Sequence, residues 1–362
     1  MIMKKPLIIA YYLPQYHPFP QNDEWWGKGF TEWTNVGKAK PLFKGHYQPK
    51  VPADLGYYDL RLPEVRDEQA ELAREAGVGA FCYWHYWFGG KGRQLLNEII
   101  DDVLKTGKPD FPFCFGWANE SWKAKQWNKD GTGDKVIMEQ RYGGESDYRL
   151  HFEYALNFFK DHRYIKIDNK PLFLVYKPNL LPSDFISYWN KWAKEEGFDG
   201  IYFVARVNEL DNPKDAFAKG FKIYTQERSS YVHKRSTKMQ FLKNRIMSWM
   251  KGLKGTVVEY ADCIKFMSKP EEDIKENFCP VLLPNWDHSP RSGKSAYIIN
   301  NATPKLFEKH CKQILHTVMK KQNKIVFLKS WNEWGEGNYM EPDLKYGKGF
   351  IKALHDALEE SE

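Results

Sequence analysis

The sequence predicts a (β/α)8 TIM barrel filling one domain, residues 1–362, with long loops after strands one and six. Three observations carry this expectation. First, eight short apolar runs recur along the chain: Leu7–Tyr12, Val78–Trp84, Pro112–Gly116, Pro171–Tyr176, Gly200–Ala205, Phe221–Thr225, Cys279–Leu283 and Lys324–Leu328. Runs that are apolar throughout, with no polar alternation, are the pattern of parallel strands buried on both faces. Second, helical stretches fill the intervals between them. Third, no Gly-x-Gly-x-x-Gly follows the first run, which disfavours a doubly wound sheet. A chain of 362 residues is long enough to bury the large core a barrel needs.

The helices have legible ends. Pro63 opens one that stops at Gly77, and Ser146 is expected to cap another. Ser183 is expected to cap a third, ending at Gly197. Thr303-Pro304 supplies a cap and a first-turn proline for a helix reaching about Lys321, and a last helix starts near Gly349. Two connections exceed ordinary loop length. Leu13–Leu62 follows strand one and is rich in Trp, Tyr, Gly and Pro; Ser229–Asn277 follows strand six. Long loops in compact domains usually carry function, and in a barrel the loops after the strands build the active face.

Composition narrows the class. Hydrophobic residues at 42% and charged residues at 28% are ordinary for a globular chain, but aromatics reach 16%, with 14 Trp. Aromatic rings cover the flat C–H faces of sugars at low entropic cost, so the excess fits a carbohydrate cleft as well as a core. The net charge of +7 is local: Lys219–Lys254 holds ten Lys/Arg against the single acid Glu227. The remainder is near neutral, which argues against a general nucleic-acid binder. The five cysteines form no Cys-x-x-Cys pair and read as reduced core residues in a reducing compartment. No run approaches a membrane span, and Leu7–Ala10 is too short for a signal peptide, so a cytoplasmic location is expected.

Trp or Tyr accompanied by Asn, His, Asp or Glu recurs at five strand ends: Tyr11-Tyr12-Leu13-Pro14-Gln15-Tyr16-His17, Tyr83-Trp84-His85-Tyr86-Trp87, Gly116-Trp117-Ala118-Asn119-Glu120-Ser121-Trp122, Pro284-Asn285-Trp286-Asp287-His288 and Ser330-Trp331-Asn332-Glu333-Trp334-Gly335-Glu336-Gly337. These ends share one mouth in a barrel. Glycoside cleavage needs an acid for the leaving oxygen and a second group acting on the sugar. Glu333 and Glu336, three residues apart past the last strand, can supply both, and neighbouring carboxylates push their pKa values apart. The competing reading has one of them capping the final helix or pairing with a lysine. Glu120 is the rival carboxylate, catalytic or hydroxyl-binding. Tyr12, Tyr16, His17, Glu32, Trp33, Trp84, His85, Trp117, Asn119, Trp122, Trp286, Asp287, Trp331 and Asn332 are candidate substrate contacts, with Trp117, Trp286 and Trp331 expected at the mouth. Glu341 reads as a residue behind the site.

His17, His85 and His288 match no short metal motif and read better as hydroxyl-binding groups; neither metal nor cofactor is expected. In the basic segment, apolar residues at 239, 242, 246, 249/250 and 253 lie on one helical face. That stripe fits a helix packed after strand six, or a basic amphipathic lid meeting an anionic glycan or a membrane surface.

Three motifs carry a family resemblance. Tyr11–His17, Gly29-Phe30-Thr31-Glu32-Trp33 and Gly45-His46-Tyr47-Gln48-Pro49 resemble the WbsX-type polysaccharide-biosynthesis family, itself similar to glycoside hydrolase family 99, the endo-α-1,2-mannosidases and mannanases. Trp117–Glu120 and Trp331–Gly337 extend the resemblance over nearly the whole chain. It implies a (β/α)8 barrel and a retaining hydrolysis in which Glu333 acts as base on the sugar's own 2-hydroxyl and Glu336 as acid. The mannosidases usually carry a bulkier residue where this chain has Gly335.

The expected function is a glycoside hydrolase acting on a polysaccharide or glycan. The alternative is a glycosyltransferase in surface polysaccharide (O-antigen or capsule) synthesis. That alternative lacks an Asp-x-Asp site and paired Rossmann halves; a non-catalytic glycan binder would need no acid–base pair. Because no ligand cluster is evident, activity is expected to survive EDTA, and a loss restored by a divalent ion would contradict the reading.

Overall fold

The structure, a computed structural model, describes residues 4–123, 136–209, 211–229 and 238–361. Among these residues the eight apolar runs form eight parallel strands. They are β1 Leu7–Tyr12, β2 Ala80–Trp87, β3 Phe113–Trp117, β4 Lys170–Val175, β5 Tyr202–Arg206, β6 Ile223–Thr225, β7 in two pieces, Phe278–Cys279 and Val281–Leu282, and β8 Ile325–Leu328. Each pairs with the next in chain order, and β8 pairs back to β1 with Phe327 beside Ile9. The result is the predicted (β/α)8 barrel. Proline cannot donate to a ladder, and Pro280 divides β7: the first piece pairs with β6, the second with β8.

Helices pack outside the barrel between successive strands, among them Pro63–Glu75, Asn97–Thr106, Glu145–Phe159, Phe185–Glu195, Pro304–Val318 and Gly349–Glu359. Thr303 caps its helix as expected, accepting from the Leu306 N–H, with Pro304 in the first turn. Ser146 and Ser183 are not caps. Gly144 and Asp184 hold the cap positions instead, so the first helix starts two residues earlier and the second one residue later. The loop after β1 contains two short helices, Pro20–Trp26 and Glu32–Lys38. The insertion after β6 carries Lys238–Met250, Thr256–Glu259 and Tyr260–Met267. Thr256–Glu259 joins Tyr297–Asn300 and Trp286–Asp287 in a small sheet beside the barrel.

Strand residues alternate between the barrel interior and the helical layer. Inward lie Tyr11, Cys82, Trp84, Gly116 and Phe327; Tyr11 contacts both Trp84 and Phe327. A β-carbon on Gly116 would come within 3.3 Å of Trp84 and Cys82, so the glycine makes room for the indole inside the barrel. Outward lie Tyr83, His85, Phe115, Trp117 and Phe173, packed against Phe158, His151 and Trp189 of the helices. The five cysteines are free and buried. No helix among the described residues is long and apolar enough to cross a membrane.

The basic segment departs from its simplest reading. Residues 230–237 lie outside the described residues. In the helix Lys238–Met250 the polar Asn244 and Ser248 face the protein, while Met239, Leu242, Ile246, Trp249 and Met250 are exposed. The Ser248 hydroxyl donates to the Asn244 carbonyl and accepts from the Val257 N–H, so this buried hydroxyl is satisfied in both directions. Leu253, on the turn beyond the helix, is buried.

Phe173 is fully buried among Phe115, Trp189 and Phe203 and does not touch the cleft. Phe173→Ala is expected to cost about 3–5 kcal/mol in urea unfolding, with no change in ligand affinity of the folded protein.

Candidate active site

The C-terminal mouth of the barrel holds a cleft of about 390 Å3. Inward parity brings Trp84 and Tyr86 from β2, Tyr176 from just after β4 and Lys329 from just after β8 into it. The loops after β1, β3 and β7 add Glu32, Glu120, Trp122 and Arg291. Trp122 stands edge-on to Tyr86 and Phe88, so the wall is an aromatic corner. A larger depression of about 790 Å3 lies outside the barrel, between Tyr260–Met267 and Pro304–Val318, but has no Trp, Tyr or Phe in its lining.

Glu333 and Glu336 sit on a tight excursion after β8. Asn332–Glu333 pairs antiparallel with Asn338–Tyr339, and Trp334–Glu336 forms one helical turn between them. The excursion is fixed from behind. Asn332 accepts from the Leu13 N–H and donates to the Leu13 carbonyl, tying it to the end of β1. The Ser330 hydroxyl accepts from the Glu333 N–H, and the Tyr16 hydroxyl accepts from the Trp334 N–H. The Trp334 ring stacks on Tyr339 at 3.7 Å, and its Nε1 donates to Glu341. Glu341 also accepts from Tyr58 and Gln69, so it braces the excursion from beneath.

Arg291 organises the charges. Its Nη2 donates to Glu333 and its Nη1 to Glu336, both at 2.6 Å, while Glu32 lies 3.1 Å from Nη2. His288 Nε2 is 3.6 Å from Glu336, and its Nδ1 contacts Ser292. A β-carbon on Gly335 would lie 2.1 Å from the Glu32 carboxylate and 3.1 Å from Arg291 Nε, so this approach is open only to glycine. Burial pushes the Glu333 carboxyl up to about 7; Arg291 opposes this, and the Glu336 and Glu32 charges add to it. Burial acts the same way on Glu336, but Arg291 and His288 outweigh it and hold that carboxyl well below the usual range. The surroundings thereby drive the two neighbouring carboxyls in opposite directions.

The predicted residues separate into three groups. Glu32, Trp84, Glu120, Trp122, Glu333 and Glu336 line the cleft, with Glu120 3.6 Å from Lys177. Tyr16, Trp33, Trp331, Asn332, Trp286 and Asp287 stand behind it or to one side. The Trp33 indole donates to the Tyr58 carbonyl and packs on Tyr16; Trp331 is buried against Phe81. Asp287 accepts from His46 and Gln48, and Trp286 lies under the Lys329 ammonium. The third group is turned away. Tyr12 donates to Gln69, His85 meets His151 at 2.8 Å, and Trp117 packs on Phe185 and His151. Asn119 is spent on Tyr142 and the Lys177 backbone. His17 is buried beside Phe19, and burial drives its pKa down to about 4. The three histidines do not converge, and among the described residues no group of His, Cys, Asp or Glu is arranged to hold a metal ion.

Tyr86, Tyr176, Lys329 and Arg291 escaped sequence reasoning. Period-two parity would have found Lys329, two residues beyond the inward Phe327, and Tyr86, two beyond Trp84. Nothing local marks Arg291 in Ser289-Pro290-Arg291-Ser292.

A (β/α)8 barrel of glycoside-hydrolase-like form is the class that this fold defines. A solved glycoside hydrolase-like protein aligns over 99% of this chain and 95% of its own with TM-score 0.59 at 14% identity. The GH99 endo-alpha-mannosidase from Bacteroides thetaiotaomicron aligns over 98% of both chains with TM-score 0.56 at 16% identity. At such identities the likeness is one of fold. The family model described as glycosyltransferase WbsX matches residues 8–354, and the chain belongs to that family. It is also 36% identical over 358 residues to the uncharacterized protein WxcX of Xanthomonas campestris pv. campestris, covering 97% of this chain and 49% of that protein. A second strain's WxcX gives the same values. The chain thus spans about half the length of the curated relatives it matches.

Removing the buried guanidinium leaves three carboxylates facing one another. Arg291→Ala is expected to cost about 3–5 kcal/mol near neutral pH. Glu336, whose pKa is depressed in the folded protein, contributes stability above its unfolded pKa that fades as pH falls; without Arg291 the facing Glu333 and Glu336 carboxylates repel while ionised, and protonation relieves that repulsion. The stability gap to wild type therefore narrows toward pH 4, and a gap that stays constant in urea titrations at pH 4 and pH 7 would contradict the clamp.

Proposed function

We propose that this protein is a retaining glycoside hydrolase acting on a polysaccharide or glycan, with Glu333 and Glu336 as its reacting carboxyls. The observation that carries the reading is the pair itself. Two acids at a barrel's C-terminal mouth bind separate nitrogens of one buried arginine, one poised near neutrality and the other ionised. The surrounding Trp84, Tyr86 and Trp122 suit sugar rings.

In this charge state Glu336 takes the proton of the sugar 2-hydroxyl as that oxygen attacks the anomeric carbon. Glu333 gives its proton to the departing oxygen. Water then opens the anhydro-sugar with the proton transfers reversed, which restores both groups. The family resemblance implies the opposite order, Glu333 as base and Glu336 as acid; the His288 contact, which Glu336 has and Glu333 lacks, favours Glu336 as the ionised partner. The pair titrates as a unit, so the assignment belongs to the experiment that separates the two roles.

A glycosyltransferase of surface polysaccharide synthesis is the second reading, favoured by the family's description. Incubation with a glycan and, separately, with sugar nucleotides separates them by product. Sugar transfer from a nucleotide donor without glycan hydrolysis would overturn the hydrolase reading.

On a hydrolysable glycan, loss of the acid is expected to lower kcat/KM about 10²–10⁴-fold while sparing an activated aryl glycoside. Glu333→Gln should show this split, and Glu336→Gln should impair both substrates; the reverse pattern restores the order implied by the resemblance. In wild type, kcat/KM should fall as pH rises through about 7, as Glu333 loses its proton, and Glu333→Gln should lack that limb. Wild-type activity in both variants would sink the site.

A further inference from the structure

The helix Lys238–Met250 presents its faces the wrong way round for a helix that ends at water. At 3.6 residues per turn, Met239, Leu242, Ile246, Trp249 and Met250 form one stripe about a quarter of the circumference wide. All five are exposed, with Met239 81%, Trp249 77% and Met250 74% accessible. Asn244 and Ser248, on the opposite side, are buried. An unbroken row of large apolar side chains directed outward, with the hydroxyl and amide turned in, marks a docking face.

The charge around the stripe says what it docks to. Lys243 and Arg245 flank it on its two sides, and Lys251 and Lys254 follow within one turn of its end. From Lys238 to Lys254 the chain contains no Asp or Glu. A protein partner able to cover this stripe would need an apolar groove with an acidic rim on both sides. An anionic bilayer supplies an apolar layer beneath a continuous negative surface, into which Trp and Met insert while Lys and Arg reach the head groups. No crossing helix is required for that association, and none is present among the described residues.

We infer that Lys238–Met250 is an interfacial helix that seats this protein on anionic phospholipid. The geometry links that seat to the cleft. The helix rests on the small sheet through Ser248 and Val257, and Lys251 lies over the Phe43 ring at 4.2 Å. Just past it, the Lys254 and Gly255 N–H groups both donate to the Lys294 carbonyl, three residues beyond Arg291. The seat and the carboxylate clamp therefore share one short stretch of backbone. The inference stands apart from the hydrolase reading, since it concerns neither Glu333 nor Glu336.

The test is co-sedimentation of the purified chain with vesicles of phosphatidylcholine alone and of equal phosphatidylcholine and phosphatidylglycerol. Binding to the anionic vesicles is expected, with little to the neutral ones. Trp249→Ser with Met250→Ser, and separately Lys243→Gln with Arg245→Gln, should each weaken it about tenfold or more. These side chains are exposed or at the surface, so circular dichroism should match wild type. Brominated lipid should quench a tryptophan signal that Trp249→Phe loses while still binding. Equal binding by wild type and variants, or no binding to either vesicle, overturns the inference. So does a concentration-dependent dimer in sedimentation velocity that the Trp249/Met250 variant abolishes, which would give the stripe to a second copy of the chain.

Discussion

One guanidinium facing three carboxylates is the interaction on which the mouth of this barrel depends. A buried arginine is tolerated only with its charge and hydrogen bonds answered, and Arg291 has Glu333 and Glu336 at 2.6 Å and Glu32 at 3.1 Å. The partners come from distant parts of the chain: Glu32 opens a helix in the loop after β1, Arg291 lies after β7, and the glutamate pair follows β8. The clamp thus closes the same circle at the mouth that the β1–β8 ladder closes in the barrel wall. It also leaves the two acids unequal: Arg291 touches both, but His288 approaches Glu336 alone, while burial and the Glu336 and Glu32 charges raise Glu333.

The clamp needs a rigid backing, and the aromatic content of the chain provides it. Tyr16, Trp33, Tyr58, Trp334 and Tyr339 pack in one layer under the carboxylates. Their polar tips are spent on backbone groups, on Asp343 and on Glu341, whose buried carboxyl is raised to about 7 by desolvation against the pull of its donors. Much of the Trp and Tyr that suggests sugar binding in the composition therefore serves to hold the machinery rather than to contact a ligand.

The barrel was legible because its signal is repeated. Eight apolar runs and the helices between them give one answer many times, and a mistaken cap at Ser146 or Ser183 does not change it. The glutamate pair was legible because both members lie in one short motif. The rest of the mouth was harder to read for two physical reasons. Strand residues alternate, so a motif such as Trp84-His85-Tyr86 sends Trp84 and Tyr86 into the barrel and His85 out to His151; reading by motif takes Trp84 and His85 and passes over Tyr86. Convergence in space leaves no local trace, so Arg291 reads as an ordinary residue in a polar stretch. The basic helix failed in the opposite sense: its periodicity was right, but hydrophobic spacing defines a face without saying which neighbour it meets.

Gly335 changes how the motif around it is to be regarded. The space its missing side chain leaves is filled by Glu32, which belongs to another loop some three hundred residues away in the chain. Trp-Asn-Glu-Trp-Gly-Glu is therefore half of a two-part fitting rather than a cassette. A relative with a larger residue at that place must route its loop after β1 differently. Grafting either segment alone between such proteins would bring a side chain and a carboxylate into the same volume. Divergence within this architecture is then constrained to move both loops together, and chimeras cut between them should be the ones that fail.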